Sequence, residues 1–275
     1  MKNKVTDKAN DLKRQYDSIA LSGDDKTTAC DYQLRELEID NGLNFIHDGD
    51  TILDVGCGPG VALQEYATKR KVKAFGIDYS ENMVAFAKSR IAEVEPTAQI
   101  DFRCASVDDL PFEDESFDVV TSHRCLMALL DWDRQQKALL EIKRVLKPGG
   151  VYVMMEGTFD GLERLNAYRR KFNLTEIEAD GQDRLHTLKF HEQQLADFCV
   201  DHFELIHTQR FGMYYFLTRI VQPLLVAPDA PKYDHPLNEI AKQIAKLVPD
   251  FDEIGHLVGF SWRKPVDSNA NKQSV

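Results

Sequence analysis

The segment that most constrains this chain is residues 52–60, Ile-Leu-Asp-Val-Gly-Cys-Gly-Pro-Gly, in which an apolar run enters a glycine-rich turn. The apolar residues predict a strand buried in a parallel sheet, and residues 61–70 predict the helix that follows it. Gly56, Gly58 and Gly60 allow the backbone to turn sharply and to approach a ligand without a Cβ atom. This order is typical of doubly wound α/β folds that bind a nucleoside-containing cofactor at the carboxyl ends of their strands.

The spacing of the glycines limits which types of cofactor the turn can bind. The turn is GxGxG, and Val61 stands where a dinucleotide fingerprint requires its third glycine, which argues against a pyrophosphate. No GK[ST] follows, which argues against a P-loop. Asp54 precedes the glycines and is better suited to anchor a cationic amine or ordered water than to face phosphates. A tight turn without a ligand remains the alternative from these residues alone.

A second strand, residues 72–77, ends at Asp78, about twenty residues beyond the glycines. An acid at this place can accept hydrogen bonds from both ribose hydroxyls. Asp78 also precedes a predicted helix whose N-cap is Ser80, so a capping role is the alternative and both roles are compatible.

Further strands are predicted at residues 100–104, 117–122 and 151–155, and Leu146-Lys-Pro-Gly-Gly150 is predicted to end a helix before the last of these. Strand and helix patterns alternate from residue 50 to residue 156. This alternation predicts parallel strands joined by right-handed crossovers.

These segments resemble, in the same order, the motifs of class I S-adenosylmethionine-dependent methyltransferases. Residues 52–60 resemble the first motif, Gly76-Ile-Asp-Tyr-Ser-Glu-Asn-Met83 the second and residues 106–122 the third. The resemblance is close over residues 50–156 and extends to the rest of the chain in outline. It implies an α/β fold with a doubly wound, Rossmann-like, seven-stranded and mostly parallel sheet that ends in an antiparallel pair. It also implies S-adenosyl-L-methionine as cofactor and S-adenosyl-L-homocysteine as product.

The resemblance also implies roles for individual residues. Asp78 is expected to bind the ribose, and Met83 to pack against the adenine. Ser106 stands where this family usually has an acid that contacts the adenine amino group, so either Ser106 with the backbone of Val107, or Asp108, is expected to make this contact. The expected cofactor-binding residues are Asp54, Gly56, Cys57, Gly58, Gly60, Asp78, Tyr79, Met83, Ser106, Val107 and Asp108.

Methyl transfer is an in-line displacement, to which proximity and orientation contribute much of the acceleration, so a general base is useful but not obligatory. His123 follows the strand 117–122 and is expected at its carboxyl end, facing the methyl group, as a catalytic base. Stacking on the ligand is the alternative role. Arg124 is suited to bind an acidic acceptor or to face solvent, and Glu156 is a second candidate base.

Segments outside the core are predicted to cover the site. Residues 1–49 are expected to form a helical cap, and residues 50–275 the methyltransferase domain. Insertions at about 157–189 and 211–249 are expected to form helical lids, with passive surface helices as the alternative. The further candidates for substrate contact in or near these segments are Tyr16, Tyr32, Arg35 and Tyr214.

Composition restricts the partners. A net charge of -11 disfavours binding to nucleic acid, so a small-molecule methyl acceptor is expected. Five cysteines without CxxC or a metal-binding spacing indicate reduced thiols in a cytoplasmic protein and no metal site. The protein is expected to be a monomer or a homodimer. No apolar run approaches the length of a membrane span. An RNA- or protein-directed methyltransferase and a non-catalytic cofactor-binding homologue are the alternatives.

Overall fold

The computed structural model describes residues 2–23, 30–93, 100–179 and 187–266. Its centre is a seven-stranded sheet of order β3-β2-β1-β4-β5-β7-β6. The first five strands run parallel, and β7 lies antiparallel between β5 and β6. The sheet confirms the predicted architecture. Its strands are β1 (Thr51–Val55), β2 (Lys73–Asp78), β3 (Ile100–Cys104), β4 (Phe117–His123), β5 (Leu146–Gly157), β6 (Glu204–Arg210) and β7 (Leu257–Arg263).

Helices cover both faces of the sheet, together with a 3₁₀ turn at Leu126–Leu129 and a π-helical turn at Leu217–Val221. None of the helices in the described ranges is long and apolar enough to cross a bilayer. The helices are α1 (Lys2–Ser22), α2 (Tyr32–Leu43), α3 (Val61–Lys69), α4 (Glu81–Glu93), α5 (Trp132–Val145), α6 (Phe159–Lys171), α7 (Glu192–Cys199), α8 (Gly212–Phe216), α9 (Gln222–Val226) and α10 (Pro236–Leu247).

The sheet is buried on both faces, as the apolar sequence of β1 predicts. Successive side chains of a strand point to opposite faces, and Ile52 accordingly packs in one hydrophobic cluster with Leu63 of α3. Leu53 and Val55 have no measurable exposure and pack in a second cluster, which includes Ile142 of α5. The helices on the two faces therefore hold β1 in the centre of the fold.

The strand order places the predicted residues at one edge of the sheet. β1 lies between β2 and β4, so the chain direction of the crossovers reverses at β1. A ligand crevice is expected outside the carboxyl ends of the strands at such a switch point. The glycine turn follows β1, Asp78 ends β2 and His123 ends β4, so all three meet at this crevice.

Two elements begin earlier in the chain than their local sequence signals. Helix α5 ends with Leu146 as its C-cap, as predicted, but β5 begins at Leu146 and not at Val151, because Leu146 pairs with Phe117 of β4. Within the predicted helical cap, α1 covers residues 2–22, which is longer than the amphipathic stretch at about residues 11–20. For β5, pairing with β4 extends the strand beyond its local sequence signal.

The insertion at 211–249 is helical, as predicted, and packs on the outer side of α2. The Tyr214 hydroxyl donates to the Asp31 carboxylate at 2.5 Å, and Lys242 Nζ lies 2.5 Å from Glu36 Oε2. These contacts brace α2 against α8 and α10.

Candidate functional site

A cavity of about 260 Å³ opens at the carboxyl ends of β1, β2 and β4, beneath α1 and α2. It combines residues that are distant in sequence, since α1, α2, the glycine turn and the loops after β2, β3 and β4 all contribute to its wall. The predicted site residues in this wall are Tyr16, Arg35, Asp54, Gly56, Cys57, Gly58, Asp78, Tyr79, Ser106, Val107, His123 and Arg124.

The three glycines of the turn all adopt positive φ angles, but the space around their Cα atoms differs. A Cβ atom on Gly56 would lie 2.5 Å from Cys125 Sγ, and one on Gly60 would lie 2.9 Å from Phe102 Cζ. A Cβ atom on Gly58 would meet nothing within 4 Å, because Gly58 faces the cavity. Gly56 and Gly60 therefore permit close packing within the protein, whereas Gly58 leaves room for a ligand.

Asp78 is tied directly to this turn. Its Oδ2 accepts a hydrogen bond from the Gly58 amide at 2.9 Å, and its Oδ1 accepts one from the Ser80 amide at 2.8 Å. Burial raises the pKa of Asp78 to about 6, although these two hydrogen bonds oppose the shift. Both oxygens retain acceptor capacity. The residues present therefore fit a ribose beside Gly58, as the predicted cofactor requires.

Asp54 lines the same cavity from the end of β1 and is almost fully buried. Its Oδ1 accepts a hydrogen bond from Thr121 Oγ1 at 2.7 Å, which fixes the carboxyl group between β1 and β4. Burial raises the pKa of Asp54, while the charge of His123 and the Thr121 hydroxyl oppose this shift. A carboxyl group so placed is suited to a cationic ligand group.

Ser106 and Asp108 form one unit with Arg134 of α5. The Ser106 hydroxyl donates to Asp108 Oδ1, and Arg134 Nε donates to Asp108 Oδ2 at 2.9 Å. Burial raises the pKa of Asp108, but the hydrogen bonds from Arg134 and Ser106 outweigh it and lower the pKa overall. Ser106 lies in the cavity wall and Asp108 does not. Since the hydroxyl proton is directed to Asp108, the Ser106 oxygen is left as an acceptor for an amine.

We expect Ser106→Ala to weaken S-adenosylhomocysteine binding by about 0.5–1.5 kcal/mol, the contribution of one neutral hydrogen bond. Asp108→Ala should have a smaller effect, because Asp108 lies behind Ser106. Calorimetric titration of both variants measures the ranking, and Ser89→Ala on the exposed face of α4 is the matched control. A larger loss for Asp108→Ala than for Ser106→Ala would assign the amine contact to Asp108.

Four polar side chains meet at the end of the cavity beyond β4. His123 Nε2 lies 3.0 Å from the hydroxyl of buried Tyr66, and His123 Nδ1 lies 3.6 Å from Glu38 Oε2. Glu38 is fully buried and accepts a hydrogen bond from Arg124 at 3.0 Å. His123 Nδ1 and Glu38 Oε1 have no hydrogen-bond partner among the described residues. A carboxylate can only accept, so this arrangement favours a proton on Nδ1 and leaves Nε2 as the basic nitrogen.

Six predicted residues lie outside the cavity wall. Gly60 caps α3 and packs against Phe102. Met83 packs in a small buried cluster with Ile19 and Ala20 beneath α1, so its side chain joins α4 to α1. Because the Met83 side chain is buried in that cluster, the structure does not bring it to the cavity with the others. The other four are Tyr32, Asp108, Glu156 and Tyr214.

Glu156 is a structural residue in this arrangement. It is fully buried, and its oxygens accept hydrogen bonds from the amides of Cys125, Leu126 and Met127 and from the Ser122 hydroxyl. Burial raises its pKa to about 7, although these donors oppose the shift. Glu156 therefore holds the backbone turn that follows β4, and the structure does not place it as a base facing the acceptor.

The structure does not place the two insertions over the cavity. Within the described part of ranges 157–189 and 211–249, no residue lines its wall. The cover comes instead from α1, which contributes Leu12, Lys13 and Tyr16, and from Arg35 of α2. In the second insertion, α8 and α10 pack against α2 through the Tyr214–Asp31 and Lys242–Glu36 contacts and do not contribute to the cavity wall.

Several residues of the site were missed from the sequence. Cys125, Ala128 and Leu129 follow β4, and the rule that ligands bind beyond the carboxyl ends of strands would have indicated them. Tyr66, Glu38 and Arg134 carry no such signal, because each comes from a helix and reaches the site only through tertiary packing. Leu12 and Lys13 lie in the amphipathic helix that was expected to cap the site.

Comparisons with known proteins agree with this geometry. Residues 53–154 match the family model described as a methyltransferase domain. The chain is 32% identical over 159 residues to the ubiquinone/menaquinone biosynthesis C-methyltransferase UbiE of Geotalea daltonii, covering 56% of this chain and 66% of that protein. It is 37% identical over 116 residues to an uncharacterized methyltransferase of Schizosaccharomyces pombe, covering 39% of this chain and 40% of that protein.

The similarity in fold to a solved structure covers more of the chain than the sequence alignments do. A chain solved in complex with the Trm112 methyltransferase activator of Haloferax volcanii superposes with a TM-score of 0.62 at 19% identity, covering 92% of this chain and 97% of that chain. The sequence alignments to the two curated relatives span from 40% to 66% of their lengths. Residues outside the aligned core therefore share a fold with known proteins but differ in sequence.

Proposed function

We propose that this chain, which carries a class I S-adenosylmethionine-dependent methyltransferase domain similar to the ubiquinone and menaquinone biosynthesis group, methylates a small molecule. The cofactor of such a domain is S-adenosyl-L-methionine, and the product is S-adenosyl-L-homocysteine. The acceptor atom, whether O, N or C, is left open.

One observation carries this proposal: Asp78 and Gly58 are joined by a hydrogen bond at the edge of the cavity, with open space over Gly58. The carboxylate supplies acceptors for the ribose hydroxyls, and the glycine permits the nucleoside to approach the backbone. The cover that α1 and α2 form over the cavity supports a small acceptor. A polymer would need a more open surface.

The residues of this chain act mainly by binding and orientation. The bound cofactor supplies a methyl group on a positively charged sulfur, which becomes neutral on transfer. Asp54 and Asp78 hold the cofactor's polar groups, while Leu12 and Tyr16 of α1 limit the access of water. Holding donor and acceptor in line accounts for much of the acceleration that this reaction needs.

His123 is our proposed base for an acceptor that must lose a proton. Glu38 favours the tautomer with its proton on Nδ1, so Nε2 is the basic atom. In the structure Nε2 forms a hydrogen bond with the Tyr66 hydroxyl. A hydrogen bond with the acceptor must replace it before a proton can move. For an acceptor without an acidic proton, His123 serves only to order this part of the wall.

Affinity for S-adenosylhomocysteine is expected to fall as the pH drops through about 6. Burial raises the pKa of Asp78 to about 6, so the carboxylate is ionised above this pH and protonated below it. Protonation removes an acceptor for the ribose, and each further pH unit should weaken binding by up to about tenfold. Calorimetric titrations from about pH 5 to about pH 8 measure this dependence.

Asp78→Asn is the matched variant. It should bind more weakly by about 1.5–3 kcal/mol at neutral pH, roughly ten-fold to over a hundred-fold, and should lose the pH dependence near 6. A wild-type affinity that stays constant over this range would contradict the assignment of Asp78 to the ribose.

Incubation with methyl-labelled S-adenosylmethionine and a panel of small molecules tests the activity itself. Two other functions are separated from it by simple measurements. A mobility shift with tRNA would indicate an RNA-directed enzyme, and cofactor binding without methyl transfer to any acceptor would indicate a non-catalytic homologue. We also propose a cytoplasmic location, which is supported by an odd number of cysteines without CxxC or metal-binding spacing.

A further inference from the structure

Charge is distributed unevenly around the cavity. Lys13, Arg124 and Arg134 line its wall, and each is paired with an acid that does not line it. The pairs are Lys13 with Asp17 at 3.0 Å, Arg124 with Glu38 at 3.0 Å and Arg134 with Asp108 at 2.9 Å. The wall therefore presents these three cations in front of their acids, in addition to Asp54 and Asp78, which line it directly, although the chain as a whole has a net charge of -11.

Arg124 is the most constrained of these cations. Its φ angle is 58°, in the left-handed region that residues other than glycine rarely adopt. Its amide donates to the Met155 carbonyl at 2.7 Å, which fixes this backbone at the end of β4. Residues held in such conformations concentrate at ligand sites, where the surrounding structure maintains the strain. The strained backbone here directs a guanidinium into the cavity.

The guanidinium is only partly satisfied by the protein. Glu38 is its one hydrogen-bond partner within the described ranges, and it engages a single terminal nitrogen. A guanidinium has five N–H donors in a planar fork that matches a carboxylate or phosphate. The Arg124 side chain keeps 27% of its surface exposed in the cavity wall. Donors thus remain for a ligand while Glu38 holds the group in place.

A second buried ion pair shows that this exposure is not a general property of such pairs in this chain. Arg219 donates to Asp31, and the Arg219 side chain is 13% exposed. Arg219 does not line the cavity, and its guanidinium is covered by the rings of Tyr215 and Tyr233. A pair that only braces two helices can therefore be covered, whereas the Arg124 pair opens toward the site.

The sheet order indicates which ligand Arg124 faces. The ribose acid and the Ser106 loop follow β2 and β3, on one side of the glycine turn. Arg124 follows β4, on the other side, together with His123 and the helix α2 that carries Glu38. The nucleoside end of the cofactor and Arg124 thus belong to opposite sides of the cavity.

We propose that Arg124 binds an anionic group, a carboxylate or a phosphate, of the methyl acceptor. This inference rests on the proposed function and specifies its substrate class. The apolar residues Leu12, Ala128 and Leu129 in the same wall indicate that the anion is carried on an apolar body. Burial is the largest single effect and lowers the pKa of Arg124, but Glu38, Tyr215, Tyr16 and Asp31 together raise it overall, so the guanidinium stays charged.

The test uses the full chain saturated with S-adenosylhomocysteine, titrated calorimetrically with benzoate, phenyl phosphate and benzamide. We expect at least one of the two anions to bind about tenfold or more tightly than benzamide, which has the size of benzoate without its charge. Arg124→Gln should remove this preference and change the dissociation constant of S-adenosylhomocysteine less than about twofold. Arg263→Gln, an exposed position at the far end of β7, is the control and should keep the preference.

Arg124→Gln leaves the Glu38 charge buried and unpaired, which can prevent folding. The double variant Glu38→Gln/Arg124→Gln removes both charges and should fold, bind S-adenosylhomocysteine and lack the anion preference. Equal binding of benzamide and the anions by the wild type, no anion binding, or a preference that persists in the double variant would overturn the proposal.

The cofactor's own carboxylate is the competing anion. If Arg124→Gln weakened S-adenosylhomocysteine but not 5′-methylthioadenosine, which lacks the amino acid end, Arg124 would belong to the cofactor and the proposal would be wrong. If the wild type bound no S-adenosylhomocysteine, the proposed function itself would fail. The two failures are therefore distinguishable.

Discussion

We expect Gly58→Val to weaken S-adenosylhomocysteine binding by more than about a hundredfold while the protein remains folded. Gly58 has a φ angle of 51° and lies in the cavity wall. A side chain there would meet no protein atom within 4 Å and would project into the space proposed for the nucleoside. The loss therefore comes from steric exclusion and not from a missing hydrogen bond, since the Gly58 amide still donates to Asp78.

Gly49→Val is the matched control. Gly49 also has a positive φ angle, 99°, and open space around its Cα, but it precedes β1 at the opposite end of the strand. Both variants carry backbone strain from a β-branched residue at positive φ, so thermal unfolding should show similar losses of stability. Calorimetry should then separate them, because only Gly58→Val loses the ligand. Retained affinity in folded Gly58→Val would place the cofactor elsewhere.

The second large effect is expected at His123. If Nε2 removes a proton from the acceptor, His123→Gln should lower turnover about 10²- to 10⁴-fold, the range for a positioned general base. The affinity for S-adenosylhomocysteine should change little, because the ribose and glycine contacts lie on the other side of the cavity. Turnover is measured with an acceptor that the labelled-cofactor screen identifies.

Tyr66→Phe is the control for the packing of this histidine. It removes only the hydroxyl that holds Nε2 in the structure, so it should affect turnover far less than His123→Gln. A loss below about tenfold in His123→Gln would show that the histidine only orders the wall and that proximity accounts for the transfer.

The segment 50–156 was predictable because its signals are local. Each signal lies within a few residues: an apolar strand, a glycine turn, and an acid at the end of the next strand. The parallel sheet follows from the alternation of strands and helices. The same rule brought Asp54, Gly58, Asp78 and His123 to one cavity. Met83 and Glu156 were less predictable, although their sequence positions suit the site. The Met83 side chain packs in a buried cluster, and the Glu156 carboxylate accepts hydrogen bonds from backbone amides.

The second insertion shows what local sequence does not contain. The helices of residues 211–249 were predictable, but their position beside α2 depends on contacts of Tyr214 and Lys242 with Asp31 and Glu36, which are far away in the chain. The same holds for Glu38, which gives no signal within α2 and acquires its role only when that helix crosses the end of β4.

The sequence by itself determined the fold class, the glycine turn and the two acids that we propose hold the cofactor, since backbone conformation and strand position dictate these residue types. Tertiary structure decided how the cavity wall beyond β4, the proposed acceptor side, is built. A buried carboxylate is stable only beside a cation or a hydrogen-bond donor. The packing of α2 against the end of β4 places His123 and Arg124 next to Glu38.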